Sequence, residues 1–168
     1  IEGFGFIPVT CFSQALTTFI GQNLGAKEYD RTKKGALFGT ICGIGIAEVI
    51  GIAVFFFSPY LIAAFGGDQK AIEYGIAEAH TIALFYCLLA FSHCMAAIQR
   101  GAGRSIVPMF VMMIVWCGVR VTYISIVIRI IPVINVIYWA YPLTWFISSV
   151  IFLILFLKTD WIHGLEKQ

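Results

Sequence analysis

The sequence predicts an all-α polytopic membrane protein, a bundle of five transmembrane helices. Three observations predict it. The 168 residues are 60% hydrophobic and 12% charged, with mean hydropathy +0.91, whereas soluble domains are about 45–50% apolar and about 25% charged. The apolar residues fall into five stretches, each about as long as the 20-residue helix that crosses roughly 30 Å of hydrocarbon. The charges gather in the short loops between them. Such a composition excludes disorder, a basic nucleic-acid-binding face and most soluble enzymes. The stretches are far longer than the strands of about 10 residues that build membrane barrels, so they read as helices.

The first stretch, residues 4–24, carries Pro8, which predicts a kink, and ends before Gly25, which suits a helix C-cap. The second, 35–57, has Gly35, Gly39 and Gly43 on one face, with Gly45 and Gly51 beyond. Small residues at that spacing let another helix approach closely in lipid. A turn is expected at Phe65-Gly66-Gly67-Asp68. The third stretch, 76–99, is read as one helix. The fourth, 106–128, has Pro108 in its first turn, where a missing N–H costs little. The fifth, 133–157, holds Pro142, a second expected kink, and the aromatics Tyr138, Trp139, Tyr141 and Trp145; Trp161 follows it. Rings at span ends read as anchors at the headgroup level.

Charge assigns the sides. Lys27, Arg31, Lys33, Lys34, Arg100, Arg104, Lys158 and Lys167 fall on one side, Lys70 and Arg129 on the other. Basic loops stay cytoplasmic, so the first stretch runs inward and the C-terminus is cytoplasmic. The chain begins Ile1-Glu2-Gly3-Phe4, without Met or a basic leader, and reads as a piece of something longer. No internal repeat is visible. Cys11, Cys42, Cys87, Cys94 and Cys117 lie in apolar surroundings without a CxxC pair, and read as packing residues.

Within the spans, Glu48 and Arg120 are the sharpest features. Glu48 lies about 20 Å and Arg120 about 21 Å from the basic side, at about 1.5 Å per residue. A charge at that depth costs at least a few kcal/mol and is usually paired or functional. Equal depth predicts that the two pair, with ion handling by Glu48 as the alternative. Gln14 is an amide at mid-span that must line a cavity or bond across helices. His93 reads as a packing histidine or a proton relay. Arg100-Gly101-Ala102-Gly103-Arg104 reads as a tight turn, since a phosphate loop needs a preceding strand and a lysine. The sequence offers no metal-ligand spacing, no catalytic set and no cofactor motif.

Phe12-Ser13-Gln14-Ala15-Leu16-Thr17-Thr18-Phe19-Ile20-Gly21-Gln22-Asn23-Leu24-Gly25-Ala26-Lys27, continuing to Asp30-Arg31, resembles the multidrug and toxic compound extrusion (MATE) family. Gln99-Arg100-Gly101-Ala102-Gly103 is similar to that family's LRG-type turn, and Tyr141-Pro142-Leu143-Thr144-Trp145 to its last helix. The signature positions are Gly21, Gln22, Asn23, Gly25, Arg31, Arg100 and Gly101. The resemblance implies residues 1–168 to be helices eight to twelve of a twelve-helix, two-lobe transporter, the C-terminal lobe without its first helix. It implies efflux, across the plasma membrane, of drug-like or organic-cation substrates, cationic and amphipathic, by sodium or proton antiport. The partners would be the bilayer, the missing N-terminal lobe and the small-molecule substrate, with no nucleic acid. Where some members carry a coupling aspartate, this chain has Leu89-Ala90-Phe91-Ser92-His93 and no acid; the ion site then lies outside this chain, the favoured reading, or uses Glu48 or His93. Gln14, Tyr86 and His93 are the candidates for the substrate cleft. A lipid-linked oligosaccharide flippase and a non-transporting scaffold are the alternatives.

Overall fold

The structure is a computed structural model and describes residues 2–162. Lys167, counted above among the basic residues, lies outside them. Helices α1 (Glu2–Gly25), α2 (Tyr29–Phe65), α3 (Gln69–Ala83) and α4 (Tyr86–Gly101) come first. Then α5 (Ile106–Met112), a π-helical stretch (Met113–Val119) and α6 (Arg120–Ile130) run on as one rod over Ile106–Ile130, followed by α7 (Asn135–Lys158). No strand occurs among the described residues.

The spans differ from the expected five in three places. α2, the Ile106–Ile130 rod and α7 are long and apolar enough to cross a membrane by length and composition. α1 is long enough but falls outside that set, because Thr10, Ser13, Gln14, Thr17, Thr18, Gln22 and Asn23 dilute its apolar residues. The third stretch is a broken one: α3 and α4 meet at Leu84-Phe85 with a bend of 56°, and make a span only when taken together. α2 runs eight residues past its expected end at 57, through Pro59, to Phe65. The turn follows where expected, with Gly66 at φ 72° and Gly67 at φ 142°.

α4 is the centre of the bundle. Its residues from Ser92 to Gln99 are buried without interruption, and it packs on α1, α2 and α7. One core cluster joins Leu16, Ile20 and Leu24 of α1 to Met95 and Ile98 of α4 and Phe152 of α7. A second, nearer the other end, joins Val9, Ala47, Ile82, Leu89 and Trp145. The α2 seam is the glycine stripe, continued by buried Ala47 to Gly51. A Cβ on Gly39 would stand 2.7 Å from Leu16 Cδ1, and one on Gly43 2.7 Å from Cys94 Sγ. A larger residue at either position would have to displace these side chains of α1 and α4.

Both turns at the basic end close in one way. Glu28 N–H donates to the Asn23 carbonyl at 2.9 Å and Lys27 N–H to Leu24 at 3.0 Å. Arg104 N–H likewise reaches Gln99 at 2.9 Å and Gly103 N–H reaches Arg100 at 3.0 Å. Each is a Schellman motif with a left-handed residue at its turn. Gly103 fills it in the second (φ 78°), but Lys27 does in the first (φ 59°), so the left-handed cap expected of Gly25 falls two residues later. Arg104 Nη2 then donates to the Asp160 carbonyl at 3.0 Å, which brings the end of α7 to the same side. The two basic turns and Lys158 therefore share one end of the bundle.

Candidate functional site

Away from the basic end, the start of α1, α4, the π-helical stretch and α7 enclose a cavity of about 250 Å³. Gly3, Phe6, Tyr86, Leu89, Trp116, Arg120, Tyr141 and Trp145 line it. Each helix supplies wall residues about one turn apart, since residues three or four apart share a helix face. Tyr141 and Trp145 do so on α7. Trp116 of the π-helical stretch and Arg120, the first residue of α6, do so from the rod; the extra residue per turn of a π-helix re-aims side chains and recurs at functional sites. Tyr86 and Trp145 meet at 6.1 Å between ring centroids and 61° between planes, and Tyr141 and Trp145 at 6.1 Å and 71°. These are edge-to-face contacts that favour aromatic pairs beyond their burial.

The expected Glu48–Arg120 pair is not formed. Arg120 Nη2 donates to Thr144 Oγ1 at 2.8 Å, and its guanidinium carbon lies 4.3 Å from the centre of the Tyr141 ring. Glu48 Oε1 accepts the Cys87 N–H at 3.0 Å. α2 packs on α1, α3 and α4, while α6 packs on α7. Depth follows from residue count; the neighbour follows from the azimuth of each helix, which residue count leaves open.

Beneath the cavity lies a polar knot the sequence reading missed. Ser92 Oγ is 2.9 Å from Ser148 Oγ and 3.0 Å from Ser149 Oγ. Ser149 Oγ donates to the Leu88 carbonyl at 3.1 Å, Ser148 Oγ to Trp145 at 3.0 Å, and Trp116 Nε1 to Ser148 Oγ at 3.3 Å. All three serines are buried, and the knot ties α4 to α7 and fixes the Trp116 ring as a wall. The available signal was a Ser-Ser pair inside an apolar run.

Of the expected cleft residues, Tyr86 lines the cavity and His93 stands behind it. The His93 ring meets Phe6 edge-on at 5.0 Å and Trp116 at 5.5 Å, with its Nε2 buried and without a hydrogen-bond partner. Gln14 is not with them: it is exposed on the face of α1 turned away from α2 and α4, in a row with Thr18 and Gln22. Of the expected anchors, Trp139 is 54% exposed, as an anchor must be, while three others are buried. Tyr138 and Trp145 are each 4% exposed, and Trp161, at 5%, stacks on Phe156 at 5.2 Å. Their span-end positions looked interfacial, but the bundle folds over them. Among the described residues no group of His, Cys, Asp or Glu could hold a metal ion.

The signature positions lie at the basic end, far from this cavity along the helices. A Cβ on Gly101 would stand 2.7 Å from the Thr17 carbonyl oxygen and 2.7 Å from Ile20 Cβ, and Gly21 faces the Gly101 carbonyl. They are the contact at which α1 and α4 cross. Asn23 folds back to donate from Nδ2 to the Phe19 carbonyl at 2.7 Å. Gln22, Gly25 and Arg31 are exposed, and Arg100 is half-buried.

A family model, MatE, matches residues 1–126, which takes in this crossing, the broken span and Arg120. The chain belongs to the MatE family. The protein described as "Probable multidrug resistance protein NorM" of Thermotoga maritima is 29% identical over 117 residues, 69% of this chain and 25% of that protein. The chain thus spans about a quarter of the length of that relative. Of the signature positions, Gly21 and Gly101 form this close helix crossing. Tyr141 and Trp145, beyond residue 126, complete the cavity outside the matched region.

Proposed function

We propose that this chain is the C-terminal lobe, short of its first helix, of a secondary active multidrug efflux transporter. The single observation that carries this reading is the aromatic enclosure of Phe6, Tyr86, Trp116, Tyr141 and Trp145 in a chain of the MatE family. Ring faces recognise flat, amphipathic molecules by area and stacking, with little demand for hydrogen-bond detail. That suits a range of drug-like substrates, organic cations among them. Its volume is near the lower end of small-molecule sites, about 300–1,000 Å³, as for one side of a cleft completed by the other lobe. The row Gln14, Thr18 and Gln22 on α1 would be a polar wall of that cleft.

In this reading the basic end is cytoplasmic in the plasma membrane, and the cavity opens toward the outer half. The lobes rock about the site, and a sodium ion or proton moving inward, bound outside this chain, drives the cycle. Dye efflux by the full-length transporter in proteoliposomes tests it. Efflux of a cationic dye under an inward sodium or proton gradient, lost in Trp145→Ala, is the expected result. No efflux of any dye under either gradient would sink the proposal.

A further inference from the structure

α4 begins inside the bundle without a cap of its own. Phe85 precedes it with φ −116° and ψ 14° and makes no side-chain cap bond. The first N–H groups of any helix have no partner within the helix. Leu88 and Leu89 turn theirs to the Phe85 carbonyl, at 3.1 and 3.4 Å. Cys87 donates instead to Glu48 Oε1, at 3.0 Å, across to α2. The carboxylate supplies from a neighbouring helix what a serine or aspartate supplies at an N-cap. The positive end of the α4 dipole in turn offsets the cost of holding a carboxylate at that depth.

α2 is shaped for this contact. Ala47 is fully buried, and a Cβ on Gly51 would stand 2.6 Å from the Ala83 carbonyl oxygen. A small residue, an acid and a glycine thus meet the break from one face. The residue beside Cys87 is Tyr86, whose side chain is a wall of two cavities. One is the aromatic cavity; the other, about 360 Å³, lies between the far end of α2 and α3 and also holds Glu78.

We infer that Glu48 is a positioning residue: its carboxylate fixes the first turn of α4 at the break and thereby sets where Tyr86 stands in the substrate cavity. The inference rests on the transport reading for its functional half and on the Cys87 contact for its structural half, and the two are measured separately. Glu48→Leu removes the acceptor, Glu48→Asp retracts it by one methylene, and Glu48→Gln keeps an oxygen in place without charge.

The experiment uses the full-length transporter in nanodiscs for amide hydrogen exchange at Cys87, and in proteoliposomes for the KM and Vmax of cationic-dye efflux. Glu48→Leu is expected to speed Cys87 exchange about tenfold or more, as for the loss of one hydrogen bond to a charged group. It is expected to raise KM while Vmax stays within about twofold, as for a displaced binding wall. Glu48→Asp should move both in the same direction, and serves alone if the leucine variant does not fold. Glu48→Gln should restore both. Unchanged Cys87 exchange in Leu and Asp overturns the inference. A Gln variant as impaired as Leu overturns it too, since charge and not reach would then be what matters. If the wild type moves no dye, the transport reading fails, and Cys87 exchange still decides what Glu48 holds.

Discussion

Two glycines of α2 separate composition from position. Gly45 and Gly51 lie on the same helix. A Cβ at Gly45 meets nothing within 4 Å, while one at Gly51 would stand 2.6 Å from the Ala83 carbonyl oxygen. Ordinary carbon–oxygen contacts begin at about 3.3 Å, so Gly51→Ala demands a shift of roughly 0.7 Å from the backbone. Backbone at the end of α3 cannot swing aside as a side chain would. Overpacking of this kind costs about 1–3 kcal/mol. Both substitutions gain about 1 kcal/mol of helix propensity, which cancels between them. Gly45→Ala is therefore expected to be more stable than Gly51→Ala by about 1–3 kcal/mol, with Gly45→Ala at or above wild type. The assay is reversible unfolding in mixed micelles, followed by tryptophan fluorescence. Equal stability of the two variants would refute the close approach of α2 to the break.

The remaining expectations concern the turn, the knot and the cavity. Lys27→Gly should stabilise by about 1 kcal/mol, because the left-handed conformation costs a residue with a Cβ about that much, and Lys27→Val should do the opposite in the same unfolding assay. Ser92→Ala should cost about 1 kcal/mol, within the range for hydrogen bonds between membrane helices, and should broaden tryptophan emission as Ser148, the partner of Trp116, loses its contact with α4. Arg120→Lys keeps the charge but loses the planar contact with Tyr141; it should cost about 0.5–1 kcal/mol in the same unfolding assay.

What could be read in advance is what depends on residue count and side-chain class. The helical class, the turn at Gly66-Gly67, the crossing stripe of Gly35, Gly39 and Gly43, and the sidedness of the basic turns all follow from spacing along a helix. The break at Leu84-Phe85 does not: neither glycine nor proline marks it, and the Cys87 N–H just past it finds its acceptor on Glu48, 39 residues away. The same limit made Glu48 and Arg120 look like partners. Residue count along a helix does not say which neighbour it faces: Glu48 meets α4 and Arg120 meets α7. Tyr86 is legible as a cleft residue, but Tyr141 and Trp145 read as headgroup anchors, since position near a span end does not reveal which face turns inward. The serine knot was hidden for a related reason: three hydroxyls scarcely lower the hydropathy of a span, and only the fold brings Ser92 to Ser148 and Ser149.

The claim that the aromatic cavity is a substrate site is tested most directly by the binding of a cationic fluorescent dye to the purified full-length transporter. Trp145 and Trp139 lie on the same helix, one 4% and the other 54% exposed, so each controls for the other. Loss of a ring that walls the site should weaken Kd about tenfold in Trp145→Ala, about 1.4 kcal/mol, and leave Trp139→Ala within about twofold of wild type. Equal affinities in the two variants would contradict the account.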